Sequence, residues 1–225
     1  MNCHPEKLYK KKIGEGKHGQ VFVGIIGKKQ VAIKKSPTNM IWEFKMFKKA
    51  YKIAPHNVPK PYKFIKCGKS SIIYSQYIKS KTLQEYQHVT KCMLYKLLLI
   101  LQKFDKHGIR HNDLHLGNIL IEDGTQKPMI TDFGLTNVIY PEYDIYEDND
   151  PRFDCHFLLN SIYSFIAKPS PVKTFISSIV PSKYLGRDKK NIFNYRLRRA
   201  VPDYPGLPNV HEILKNKYFD TCLKR

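Results

Sequence analysis

The sequence predicts an α+β protein in two parts, a small antiparallel sheet carrying one helix and then a mainly helical region. Three patterns lead there. Residues 8–34 alternate apolar side chains with Gly and Lys, the period of a strand. Met40, Phe44, Phe47 and Tyr51 recur at helical spacing. Over 89–107, Met93, Leu97, Ile100, Leu101 and Phe104 mark a long buried helix that stops at Gly108, a residue suited to ending helices.

Residues 8–34 give two or three strands, with a glycine turn at Gly27-Lys28-Lys29. Ser36-Pro37-Thr38-Asn39 supplies a turn and cap residues ahead of the first helix. Residues 63–66 and 71–78 read as two more strands joined at Gly68-Lys69, and 78–82 is the expected connection to the helical part. A second strongly apolar helix is expected over 153–167, ended by Pro169-Ser170-Pro171. Residues 172–180 and 210–218 look helical, with Pro202, Pro205 and Pro208 between them. The reading is one domain over 1–225, with its first part over about 1–77, the connection over about 76–81 and the second part over about 82–225.

Composition narrows the class. With 42% hydrophobic and 26% charged residues the chain is globular and not disordered. The longest aliphatic run, Leu97 to Leu101, is too short to span a bilayer, and the first seven residues hold no apolar signal region. The expectation is an intracellular protein, cytoplasmic or nuclear, and a monomer. Five scattered cysteines (Cys3, Cys67, Cys92, Cys155, Cys222) form no Cys-x-x-Cys pair and read as reduced thiols, neither zinc ligands nor disulfides. The net charge of +20 is uneven, because residues 1–84 hold 19 Lys/Arg against three acids. That surplus either attracts nucleic acid or an acidic partner, or reflects the lysine bias of an A/T-rich genome.

Four motifs carry chemistry, and their order adds information that none has alone. Gly14-Glu15-Gly16-Lys17-His18-Gly19 lies between strands, followed by Val21; then come Val31-Ala32-Ile33-Lys34, His111-Asn112-Asp113-Leu114-His115-Leu116-Gly117-Asn118, and Asp132-Phe133-Gly134. Glycines at 14, 16 and 19 let backbone N–H groups approach phosphates, and the strand-then-strand context argues against a dinucleotide fingerprint. In this order the motifs resemble the signature set of the protein kinase superfamily.

The resemblance implies a two-lobed kinase-like fold, ATP and Mg2+ as cofactors, and a protein substrate. Lys34 would meet the nucleotide phosphates, held by an acid on the first helix; the one acidic side chain between Lys17 and Gln84 is Glu43. Asp113 would accept the substrate hydroxyl's proton, and Asn118 and Asp132 would hold magnesium. Val21, Ala32, Ser75, Gln76, Tyr77 and Leu120 would line the adenine site, with Ser75 as a small gatekeeper. Asp154 matches the buried aspartate that anchors the catalytic loop. A zinc site at His111 and His115 is the lesser alternative, for want of a third ligand.

Three departures from the common pattern stand out. Asn112 replaces an arginine that binds an activation-loop phosphate, so activity without loop phosphorylation is expected. His115 with Gly117 replaces Lys-Pro-Glu, which resembles haspin-like kinases and aminoglycoside and choline kinase relatives; His115 would be a pH-sensitive donor to the transferred phosphate. The segment 135–153 is short, and six acids fall within 142–154, either an acidic rim favouring a Lys/Arg-rich substrate or a solvated loop. The compact whole resembles a minimal serine/threonine kinase of the large-DNA-virus type, which would place it in a host cell or virion. The rival readings are a small-molecule kinase and a kinase-shaped basic scaffold binding nucleic acid.

Overall fold

The computed structural model describes residues 9–16, 19–137, 152–166, 168–186 and 207–222. They fall into two compact units. The first holds the described residues up to Lys79 together with Met129–Gly134, and the second holds Ser80–Pro128 and the described residues from Leu135 onward.

The first unit is an antiparallel five-stranded sheet and one helix. Strands β1 (Tyr9–Gly16), β2 (Gly19–Ile26), β3 (Lys29–Ser36), β4 (Pro61–Cys67) and β5 (Ser70–Gln76) lie in the order β1-β2-β3-β5-β4. The strand period divides the sheet into two faces. One carries the apolar cluster Val31, Ile33, Ile65, Ile72 and Tyr74. The other carries Val21, Lys34 and Ile73, which are aligned across β2, β3 and β5, and beside them the aligned trio Val23, Ala32 and Ser75. Helix α1 (Ile41–Ile53) packs on that second face, where Phe44 stacks on Phe64 with ring centroids 5.7 Å apart. Of the stripe expected from sequence, Phe44 and Phe47 are buried in the helix beside Glu43 and Ala50, Met40 is buried just ahead of it, and Tyr51 is only half-buried. The cap differs in detail: Met40 occupies the N-cap position with no side-chain bond, and Asn39 Oδ1 accepts from Ile41 N–H at 3.1 Å.

The second unit is mainly helical. Short strands β6 (Ser80–Thr82) and β7 (Ile119–Glu122) pair antiparallel, and α2 (Leu83–Tyr86) follows β6 with a Thr82/Glu85 capping box. None of these, nor strand β8 (Pro128–Ile130), is signalled by periodicity, since each spans only three or four residues. Helix α3 (Lys91–Lys106) is the long apolar helix; Thr90 caps its start and Gly108, at φ +61°, turns the chain after its end. Among the described residues α4 (Arg152–Phe165), α5 (Pro171–Ile179) and α6 (Val210–Leu214) follow. Ser170 caps α5 and Pro171 opens it, so the Pro-Ser-Pro break also starts a helix.

Two expectations are corrected here. The helix expected over 210–218 ends at Leu214 and resumes as a 3-10 helix, Lys217–Cys222, with Asn216 Oδ1 accepting from Tyr218 N–H at 2.9 Å. The local amide bond competes with helix continuation. The cysteines are not all reduced thiols: Cys92, in the first turn of α3, is bonded to Cys222 across 130 residues, and Cys67 is also disulfide-bonded. The pairing is invisible in the spacing because packing of the C-terminal 3-10 helix on α3 creates it, with Phe219 fully buried and 5.3 Å from the Tyr95 ring. Cys155 is a buried free thiol, its pKa pushed up by burial and by the charge of Asp154.

Candidate active site

Lys34 is placed by strand geometry and engaged by two carboxylates. It is near the end of β3, opposite Val21 and Ile73, and its Nζ lies 2.8 Å from Glu43 Oε1 and 2.9 Å from Asp132 Oδ1. Glu43 comes from the first turn of α1, as expected. Asp132 reaches the same unit because Ile130 N–H donates to Asn57 O at 2.8 Å and Phe133 stacks on Phe47 at 5.5 Å. Asp132 itself has a left-handed backbone, φ +62°, a conformation that aspartate tolerates better than most residues. A Cβ on Gly134 would press at 3.3 Å on Asp132 Oδ1, which accounts for the glycine after Phe133.

Electrostatics make this triad uneven. Burial opposes the charge on Lys34, but Glu43 and Asp132 outweigh it and hold the ammonium pKa above its ordinary value. For Glu43 burial dominates, and with the like charge of Asp132 it pushes the carboxyl pKa up against the pull of Lys34. One ammonium thus serves two acids, and burial works against the charge of Glu43.

The glycine hairpin joins β1 to β2, with Gly14 opposite Val21 and Gly16 opposite Gly19; Lys17 and His18 lie outside the described residues. The three glycines differ in what they require. Gly16 has open space around a Cβ position, and Gly14 meets only ordinary contacts with Val21. Gly19, at φ +145°, leaves no room, because a Cβ would overlap the Lys35 carbonyl. Of the expected adenine-site residues, Ala32 and Ser75 are aligned neighbours on the Lys34 face. Gln76 is on the next strand position, tied by its N–H to Lys60 O and by Oε1 to Lys60 N–H. Tyr77 follows it, half-buried; Leu120, in the second unit, is aligned with Thr82 in the β6–β7 ladder.

In the second unit the loop 111–118 is fixed from below. Asp154, in the first turn of α4, accepts from His111 N–H at 2.6 Å and from Asn112 N–H at 2.8 Å. Burial raises its pKa despite those bonds and the nearby His111 and Arg110. Asn112 adopts φ +63° and donates its side-chain amide to Leu135 O at 3.2 Å, so this residue clips the chain after Gly134 in place of a charged arginine. Asn137 adds a second clip that the sequence did not advertise. Its Oδ1 accepts from Arg110 N–H at 2.7 Å and its Nδ2 donates to Gly108 O at 2.8 Å.

Asp113 and Asn118 face each other across the loop. Asn118 Nδ2 donates to Asp113 O at 2.8 Å and reaches Asp113 Oδ2 at 3.5 Å. His115 caps the Leu116–Asn118 3-10 turn, its Nδ1 accepting from Gly117 N–H at 3.0 Å. The neutral ring then carries its proton on Nε2, which is 4.0 Å from Asp113 Oδ2. A Cβ on residue 117 would meet His115 Cε1 at 2.8 Å, so the His115 ring would have to shift from its cap to admit a side chain there. His111 is fully buried and receives Asp113 N–H on Nδ1 at 3.3 Å, a packing and loop-shaping role.

The structure thus gathers Lys34, Glu43 and Asp132 in one unit and Asp113, His115 and Asn118 in the other. Asp132 in the first unit and Asn118 in the second each present a hard oxygen donor. Among the described residues no group of three or more His, Cys, Asp or Glu side chains forms an all-protein metal cage. The acids at 142–150 lie outside the described residues.

Comparison with protein-family models matches residues 8–150 to the protein kinase domain. The matched span includes the glycine hairpin, Lys34, the 111–118 loop and Asp132-Phe133-Gly134, and ends just before α4. No curated protein matches the chain.

Proposed function

The chain belongs to the protein kinase domain family, and from that membership we propose that it is a serine/threonine kinase acting on basic protein substrates without a phosphate on the segment after Gly134. Family membership supports a phosphotransferase that uses ATP. The observation that carries the reading is the Lys34 ammonium held between Glu43 at 2.8 Å and Asp132 at 2.9 Å. This poises a charged lysine for anionic phosphate oxygens and keeps the Asp132 carboxylate close by.

In this account Lys34 neutralises phosphate charge and Glu43 sets its position. The Asp132 carboxylate and the Asn118 amide oxygen would hold Mg2+, which when bound neutralises the charge that develops on the phosphates. Asp113 orients the substrate hydroxyl and accepts its proton, while Asn118 Nδ2 fixes the Asp113 backbone. His115 points Nε2 toward Asp113 and is proposed to donate to the transferred phosphate. Independence from loop phosphorylation is supported by the two asparagine clips, since Asn112 and Asn137 hold residues 135–137 with neutral amides. A basic substrate is supported by the five acids within 142–150; Asp154, counted with them on sequence, is buried beneath the 111–118 loop instead.

The test is incubation of the purified chain with Mg-ATP and a panel of basic and acidic proteins, with phosphosites mapped by mass spectrometry. Transfer to Ser or Thr in Lys/Arg-rich segments, unchanged after prior phosphatase treatment of the enzyme, is expected. Transfer confined to metabolites, or lost after phosphatase treatment, contradicts it.

A further inference from the structure

We propose that the exposed face of α1 is a binding site for single-stranded nucleic acid, separate from phosphotransfer. The helix buries Glu43, Phe44, Phe47 and Ala50 and turns Ile41, Trp42, Lys45, Lys48, Lys49 and Lys52 outward. Trp42 is 43% exposed, an uncommon placement for the chain's single tryptophan. The four lysines stand at i,i+3 and i,i+4 separations and so repel one another along one helix face. The acids described in this unit do not pair with them, and Lys48 also lies over the Phe44 ring, 5.0 Å from its centroid. Among the unit's described residues Glu43 and Asp132 are taken by Lys34, and Glu15 is taken by Lys12.

One sheet lysine lies on the side of the sheet that α1 packs against. Lys66 is exposed and lies two positions after Phe64, hence on the sheet face that α1 covers through the Phe44–Phe64 stack. Lys45 to Lys52 spans about 10 Å at the rise of an α-helix. A matching anion must present several charges within that length, and a phosphodiester backbone does so, with a charge about every 3.4 Å per strand in a duplex. The aromatic ring one turn from Lys45 favours a single strand, whose unpaired bases can stack on Trp42 while phosphates meet the lysines.

Because Trp42 is the single tryptophan, its fluorescence reports on this face directly. Titrating the full chain with a 20-nucleotide oligo-dT or oligo-rU should quench that emission. The slope of log K against log salt should be about −3, from roughly 0.7 per phosphate at four lysines. The paired variant Lys45→Glu/Lys49→Glu should bind a fluorescein-labelled oligonucleotide at least tenfold more weakly while keeping its circular dichroism and thermal midpoint. Trp42→Phe, read by the same label, should lose affinity severalfold and keep the salt slope. The proposal is overturned if the oligonucleotides leave the tryptophan emission unchanged, or if the double charge reversal binds as tightly as the native chain. It is also overturned if a poly-glutamate of equal charge competes on equal terms, which would make the face a dock for acidic proteins.

Discussion

Replacing Asp154 by alanine removes the one side chain that holds two successive backbone N–H groups of the 111–118 loop, at 2.6 and 2.8 Å. Hydrogen bonds to a charged acceptor contribute about 1.5–3 kcal/mol each, a gross effect of roughly 3–6 kcal/mol. Against this stands the cost of burying the carboxylate, visible in the direction of its pKa. The net loss of stability should therefore be about 2–4 kcal/mol, and Asp154→Asn, which keeps one acceptor oxygen, should lose about half of that. The pH dependence has a definite sign. Since the folded carboxyl pKa is raised above its unfolded value, the folded state binds the proton more tightly, and this group's contribution falls as pH rises above the ordinary aspartate range. The stability difference between the native chain and Asp154→Asn should accordingly shrink as pH rises above the ordinary aspartate range. Urea unfolding of the three proteins at several pH values measures all of this. An alanine variant within about 0.5 kcal/mol of the native chain, or a difference that widens with pH, refutes the anchoring argument.

Other consequences follow from the same geometry. Glu43→Gln should lower kcat/KM about 10- to 100-fold with little loss of stability, because burial already works against the Glu43 charge. It should also abolish the acid limb of the rate profile set by Glu43, whose raised pKa lets its carboxyl take a proton above the ordinary glutamate range. Gly117→Ala should destabilise the loop by about 1–3 kcal/mol, and His115→Ala should rescue most of that loss in a double-mutant cycle, since the added methyl group meets the His115 ring. Reduction of the Cys92–Cys222 bond, which closes a 130-residue separation, should lower stability by up to about 5 kcal/mol in the chain-entropy picture. Peptide mapping under non-reducing conditions should recover the two cysteines linked, and denaturant midpoints should shift with reductant.

The first unit was legible because its signals are local and periodic. The alternation over 8–34, the stripe Phe44-Phe47 and the turn at Gly68 map onto β1–β3, α1 and the β4–β5 hairpin with small shifts at the ends. Glu43 could be named from sequence because almost no other acid competes for Lys34 there. What escaped depends on contacts between distant residues. Asn137 looks like any loop asparagine until its side chain is seen bridging Gly108 and Arg110, and Cys222 gains its partner only when the C-terminal turn docks on α3. The sequence suggests Gly19 for access to phosphates, whereas the backbone of Lys35 already forbids a side chain at that position. In the sequence Gly117 is a mere departure from a pattern, and the His115 ring stands where a side chain at 117 would go.

The most direct test of the account is a single-turnover measurement of γ-phosphate transfer from radiolabelled Mg-ATP to a basic protein, made side by side on the native chain, Lys34→Met and Asp113→Asn. Transfer by the native chain is expected, with a drop of at least a hundredfold in each variant and Asp113→Asn still binding nucleotide. Transfer that survives both substitutions, or a native chain that binds ATP and never transfers its phosphate, contradicts it.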